Sequence, residues 1–112
     1  MENKFTHLDD QGNPSMVDVG GKAVTKRVAI ARSIILLEEK ILEQLENKEI
    51  QTKKGPVFQT AIIAGVMAAK KTSELIPLCH PIGLDNCQVR IYVNQEKEVI
   101  VECETSVTSK TG

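Results

Sequence analysis

The sequence predicts an α+β fold, an antiparallel sheet with helices on one face, and three observations lead there. Asn86 to Asn94 and Val99 to Val107 alternate apolar and polar residues on either side of the charged turn Gln95-Glu96-Lys97-Glu98, which reads as a hairpin with one buried face. Val24 to Leu36 carries a similar alternation much earlier, with Val28, Ile30, Ile34 and Leu36 on one face beside Lys26 and Arg32, and predicts a long strand. The stretches between strand and hairpin have helical spacing instead.

Taken in order, residues 1–22 are polar and rich in turn formers (Gly12, Asn13, Pro14, Gly20, Gly21), and read as an N-terminal arm to a single α+β domain at 23–112. After the first strand, Leu37, Ile41, Leu42 and Leu45 fall on one face of a short amphipathic helix from Leu37 to Asn47, with glutamates and Lys40 around the rest. Lys48 to Lys54 is a polar link. Gly55-Pro56 then opens a second helix, with proline at its favoured first position, running to about Leu75. Ala61, Ala64, Gly65, Ala68 and Ala69 make that helix thin, so a neighbour must pack closely against it. The order strand, helix, helix, strand, strand resembles an incomplete ferredoxin-like pattern, in which a further helix and strand would follow the hairpin. The stop at Lys110-Thr111-Gly112 therefore reads as a truncation.

Composition narrows the function classes. With 112 residues the chain is one domain at most, and its 14 basic against 15 acidic residues give a net charge of −1. That balance provides no general footprint for nucleic acid or an anionic membrane, so an anionic partner must be met locally. No apolar run approaches the roughly 20 residues that span a bilayer, and Met1-Glu2-Asn3-Lys4 opens into polar sequence, so a cytoplasmic protein is expected. Cys79, Cys87 and Cys103 are odd in number and lack CxxC spacing, which predicts free thiols, two of them on strand positions expected to be buried.

Ile76-Pro77-Leu78-Cys79-His80-Pro81 is the most informative segment, because two prolines stiffen the loop that carries a histidine. An imidazole held this way can serve as general acid or base near neutral pH, although a loop histidine bonded to a backbone carbonyl gives the same pattern. A metal site built from Cys79, His80 and Cys87 is disfavoured by the poor chelate geometry of adjacent ligands and the lack of a fourth. Lys53-Lys54-Gly55 precedes the second helix, where free N–H groups and the helix dipole make a natural anion site; a solvated lysine pair is the ordinary alternative. Lys70-Lys71 late on the helix, and Arg27 and Arg32 on opposite faces of the first strand, are surface charges or anion ligands.

Four motifs together carry a resemblance. Met16-Val17-Asp18-Val19 followed by Lys22, then Lys54-Gly55-Pro56-Val57-Phe58, then Ile63-Ala64-Gly65 with Ala68-Ala69-Lys70-Lys71-Thr72, and then Leu75 to Pro81 resemble the cyclic pyranopterin monophosphate synthase family of molybdenum cofactor biosynthesis. The similarity runs from Thr6-His7 to Gly112. It implies a lyase that rearranges the cyclised dihydro-GTP intermediate, made by a radical S-adenosylmethionine partner enzyme, and releases pyrophosphate without a redox cofactor. It also implies a ferredoxin-like fold and a hexamer, a trimer of dimers, with sites at subunit interfaces. By matching positions, Lys54 and His80 would be active-site residues. Leu78, Cys79 and His80 would form a substrate-contacting loop, with Arg27, Lys22 and Lys70 as candidates for phosphate or base contacts. A triphosphate substrate needs cations, and ring opening and closure need a proton shuttle, so the residues suit the chemistry.

Two departures from the family pattern stand out. Pro56 replaces an acidic or amide residue that could cap the second helix, with little expected effect. The family also continues past Lys110-Thr111-Gly112 into a helix, a catalytic aspartate and lysine, a final strand and a glycine-rich tail, so a polypeptide ending at Gly112 is expected not to turn over. The rival from a different class is a non-catalytic module that binds a purine triphosphate or serves oligomerisation.

Overall fold

In the computed structural model, which describes residues 11–16, 18–21 and 23–109, the first regular element is strand β1, Thr25–Ile35. It is followed by a helical turn α1 at Glu39–Leu42 and a two-stranded ribbon, β2 at Gln51–Thr52 and β3 at Gly55–Pro56. Helix α2 spans Val57–Lys70, a further turn α3 spans Thr72–Leu75, and the hairpin is β4, Asn86–Val93, with β5, Val99–Ser109. The strands form an antiparallel sheet in the order β1-β5-β4. This is an α+β architecture with an antiparallel sheet, consistent with the ferredoxin-like pattern. The register runs from Thr25 opposite Ser109 to Ile35 opposite Val99, and from Asn86 opposite Ser106 to Val93 opposite Val99.

The hairpin follows from its sequence. Asn94 closes the turn, its side-chain Oδ1 accepting from Glu98 N–H at 2.8 Å, while Lys97 takes a left-handed φ of 62° that lets the strands re-pair. Val89 and Val99 turn toward the helical layer, and α2 lies on β4 so closely that a Cβ built on Gly65 would stand 3.2 Å from Val89 Cγ2. The small residues of α2 serve this contact. Ile50, Phe58 and Val99 form the main core cluster, with Leu37, Leu42, Leu45, Ile91 and Val93 packed around it. Val89 is buried against α2, and Ile100, beside Val99 on the other face of the sheet, is fully buried too, so the hairpin does not bury one face alone.

Four expectations are corrected. The helix predicted over Leu37 to Asn47 is only one turn long, because Asn47 and Lys48 adopt left-handed φ of 51° and 64° and fold the chain into a tight two-residue turn, with Glu46 and Glu49 bonded backbone to backbone. Asparagine tolerates that geometry, and two consecutive positive φ values are the signature of a type I′ turn. The stretch Lys48 to Lys54 is not merely a polar link: it contains Ile50, buried in the core, and the first strand of the ribbon. The second helix does not run unbroken to Leu75, since Lys71 leaves helical geometry and Thr72 starts a fresh turn by donating its hydroxyl to Ala69 C=O at 2.6 Å. Ile76 is extended ahead of Pro77, as the proline ring requires. Pro56 is not the first helical residue but the flanking N-cap, in extended geometry and paired in the ribbon.

The apolar alternation of β1 has a different outcome from that of the hairpin. The strand forms where expected, yet all eleven of its residues are exposed, because the helical layer lies on β4. Arg32, on β1, faces Glu102 on β5 with Arg90 opposite on β4, and Tyr92 O–H donates to Glu102 at 2.8 Å. Arg32 Nε stands 3.8 Å and Arg90 Nη2 3.4 Å from that carboxylate. The Tyr92 hydroxyl, and then Arg90 against an opposing burial effect, hold the Glu102 carboxyl below its usual range, while that same hydrogen bond raises the Tyr92 hydroxyl. Arg32, weighed from sequence as an anion ligand, is thus engaged within the sheet.

Candidate active site

The histidine loop begins where α3 ends. Ile76 N–H still bonds to Thr72 C=O at 2.8 Å, after which Pro77 and Pro81 set the backbone. Between them Leu78 holds a left-handed φ of 63°, a conformation that a side chain with a Cβ rarely adopts and that the surrounding chain must impose. Strain of this kind concentrates at functional segments. His80 is half-buried, and its carbonyl accepts a 3.3 Å bond from the Cys79 thiol. Among the described residues no cluster of three or more His, Cys, Asp or Glu is arranged to hold a metal ion.

Lys54 sits in the turn between β2 and β3. Thr52 Oγ1 accepts from Lys54 N–H at 3.2 Å and donates to Gly55 C=O at 2.9 Å, while Gly55 takes a φ of 120° that only glycine adopts easily. The ammonium is exposed and makes no ion pair with the described residues.

The helix end behind it is not the open anion site expected from sequence. Glu49, returned by the Asn47-Lys48 turn, places Oε1 2.7 Å from Phe58 N and 2.8 Å from Ile50 N, and Oε2 3.0 Å from Gln59 N. Val57 N–H is taken by Ile50 C=O at 2.9 Å. The first N–H groups of α2 are therefore satisfied by a carboxylate from nearly ten residues upstream, which supplies the cap that Pro56 cannot. Any anion held by Lys54 must be held by side-chain charge, not by the end of α2.

Glu49 has a pH consequence. Burial works to raise its carboxyl, but the backbone N–H groups of Phe58, Ile50, Gln59 and Val57 outweigh it and leave the folded value below the ordinary one. A carboxyl with a depressed folded pKa adds stability that is complete above its unfolded value and lost as pH falls through the folded one. Glu49→Gln is expected to lower the denaturant midpoint at neutral pH and to remove that component of acid sensitivity. Urea titrations across an acid-to-neutral pH series check this; parallel curves for the two proteins would contradict it.

Lys70, the last residue of α2, borders a cavity of about 380 Å³ whose other walls are Ile82 to Cys87. Cys87 reaches toward Cys103, with sulfurs 4.0 Å apart, and both thiols are free. They are half-buried, less than their strand positions suggested. Burial raises the Cys87 thiol, and the Cys103 hydrogen bond raises it further. Arg27 lies on β1, its Nε bonded to Thr25 Oγ1 at 3.2 Å, and borders a separate groove with Val28, Ala29, Thr105 and Val107. Lys22, the remaining candidate, lies outside the described residues, as do Thr6-His7, Val17 and Lys110-Thr111-Gly112.

A single copy thus brings Lys70 and the stretch that follows the histidine loop together, with the Arg27 groove across β5 from Cys87, and leaves Lys54 at the other end of α2. The 14 residues of α2 separate Lys54 from Lys70 by about 20 Å at 1.5 Å per residue.

Comparison with known proteins places the chain. A family model of the MoaC family matches residues 16–112, a span that includes the histidine loop and Lys22, Arg27, Lys54 and Lys70. The chain belongs to the MoaC family. Its relatives include a cyclic pyranopterin monophosphate synthase of Helicobacter pylori, 50% identical across 96% of this chain and 68% of its own length. Another of the same name, from Desulforapulum autotrophicum, is 47% identical across 96% of this chain and 66% of its own. A molybdenum cofactor biosynthesis bifunctional protein of Synechocystis is 44% identical across 96% of this chain but only 32% of its own length. The chain therefore spans about two thirds or less of the length of several curated relatives that it matches.

Proposed function

We propose that the protein containing this chain is a lyase that converts the cyclised dihydro-GTP intermediate to cyclic pyranopterin monophosphate and releases pyrophosphate. The observation that carries this reading is the histidine loop itself. Its two prolines and the left-handed Leu78 present His80 on a strained, stiff segment, inside a region matched by the MoaC family. His80 would move a proton during ring opening and closure, and Leu78 and Cys79 would contact the substrate alongside it. Lys54, Lys70, Arg27 and Lys22 would contact the phosphates or the base, with Lys54 also close to the reacting atoms.

The same reading takes the site to be shared between copies. Lys54 and Lys70 are far apart in one chain, and the exposed apolar side chains of Val28, Ile30 and Ile34 on β1 leave a face that a further layer could cover. We therefore take the working form to be a cytoplasmic homo-oligomer, a hexamer built as a trimer of dimers, that receives its substrate from a radical S-adenosylmethionine enzyme. The Synechocystis relative, whose name describes it as bifunctional, is consistent with a second pathway activity close at hand.

Lys54→Ala tests the phosphate assignment. It is expected to weaken binding of a non-reactive triphosphate analogue about 10-fold or more at low salt, since charge-assisted bonds are roughly twice as strong as neutral ones, and to lower turnover as well. Calorimetric titration at two salt concentrations measures it; unchanged affinity would remove Lys54 from the site.

A further inference from the structure

We propose that Asp85 and Thr108 form a latch that positions the histidine loop against Lys70. After the turn at Pro77-Leu78, no backbone group from His80 to Leu84 bonds to another backbone group among the described residues, so this stretch hangs between two anchors. One is Ile76 N–H on Thr72 C=O. The other is Asp85, which is fixed twice to β5: its N–H donates to Ser106 C=O at 2.8 Å, and its Oδ2 accepts from Thr108 Oγ1 at 2.6 Å.

The backbone bond alone fixes a point about which the loop can pivot. The side-chain bond, two residues further along β5, fixes the direction as well. That direction matters because Ile82 to Asp85 form one wall of the cavity and Val66 with Lys70 form the facing wall. Upstream, Pro81 locks its own φ, so a shift of the wall is passed to His80 rather than absorbed. Asp85 and Thr108 are positioning residues: they act through His80 and Lys70 and touch no reacting atom. The proposal rests on the lyase reading for its catalytic consequence, while the latch itself is a property of the loop.

The test uses the complete gene product with Asp85→Ala, Asp85→Asn, Thr108→Val and the Asp85→Ala/Thr108→Val double variant. Amide hydrogen exchange at position 85, whose N–H is held on Ser106 C=O, is read beside kcat and KM for the cyclised dihydro-GTP. Asp85→Ala and Thr108→Val are each expected to speed exchange of that amide about 10-fold beyond any change in its intrinsic rate and to lower kcat about 10- to 100-fold, the scale on which small misplacements act, with KM nearly unchanged. Asp85→Asn keeps an oxygen acceptor for the hydroxyl and is expected to retain both. The double variant should be no worse than either single one, because both remove the same bond.

Unchanged exchange in Asp85→Ala, additive losses, or an Asp85→Asn as damaged as the alanine variant would each overturn the latch. Faster exchange in a protein whose parent never converts the substrate would uphold the latch and overturn the lyase reading. Reduced turnover with unaltered exchange would do the reverse.

Discussion

Replacing His80 by alanine is expected to lower turnover of the cyclised dihydro-GTP intermediate by at least about 100-fold, the lower end of what a positioned general acid or base contributes. The expectation rests on how the side chain is presented. Two prolines and a left-handed Leu78 cost backbone freedom, and that strain has no evident part in the core, which is formed by Ile50, Phe58 and Val99 elsewhere. His80 itself is half-buried and has no side-chain hydrogen bond among the described residues, so its removal leaves no buried partner stranded. Stability should therefore change little while kcat falls, and affinity for a triphosphate analogue should change modestly. Steady-state kinetics beside thermal unfolding separate these effects. Turnover retained in the variant would remove His80 from the chemistry.

Phe58→Ala is expected to cost about 3–5 kcal/mol, the usual range for emptying a buried aromatic site. Only 6% of Phe58 is exposed, and it stands where the start of α2 meets Ile50 and Val99, joining helix, ribbon and sheet. Few side chains are as well buried, so each carries a large share of a total stability that is ordinarily about 5–15 kcal/mol. Ile50→Ala should cost about 2–5 kcal/mol by the same reasoning. Urea unfolding monitored by circular dichroism measures both, and a Phe58→Ala loss below about 1 kcal/mol would mean that the core lies elsewhere.

Local patterns made much of the fold legible. The hairpin is read from Cys87, Val89, Ile91 and Val93 alternating against polar neighbours, with a turn whose asparagine and charges mark it clearly. The body of α2 is read from its period and its small residues, which meet Val89. What escaped was information carried between distant positions. Nothing adjacent to Gly55-Pro56 announces that Glu49 will cap α2; the clue was Asn47, a residue tolerant of left-handed turns inside a stretch otherwise helical in period. Ile50 was hidden by polar neighbours on either side. For β1 the alternation identified the strand but could not say which neighbour would cover it.

The candidate site divides in the same way. The strained loop around His80 could be read from its prolines, because that constraint is local. Asp85 and Thr108 could not, since their partnership exists only once β5 lies beside the start of β4. The lysines and Arg27 were recognisable as a set from the family motifs, yet α2 holds Lys54 and Lys70 at opposite ends, which is why the proposed site is taken to be shared between copies.

The most direct measurement is conversion of the cyclised dihydro-GTP intermediate by the complete gene product, with pterin product and pyrophosphate quantified in the same reaction. The expected result is equal amounts of cyclic pyranopterin monophosphate and pyrophosphate, abolished in the His80→Ala variant. Tight binding of the intermediate with no pyrophosphate released would contradict the lyase reading and identify the protein as a triphosphate-binding module.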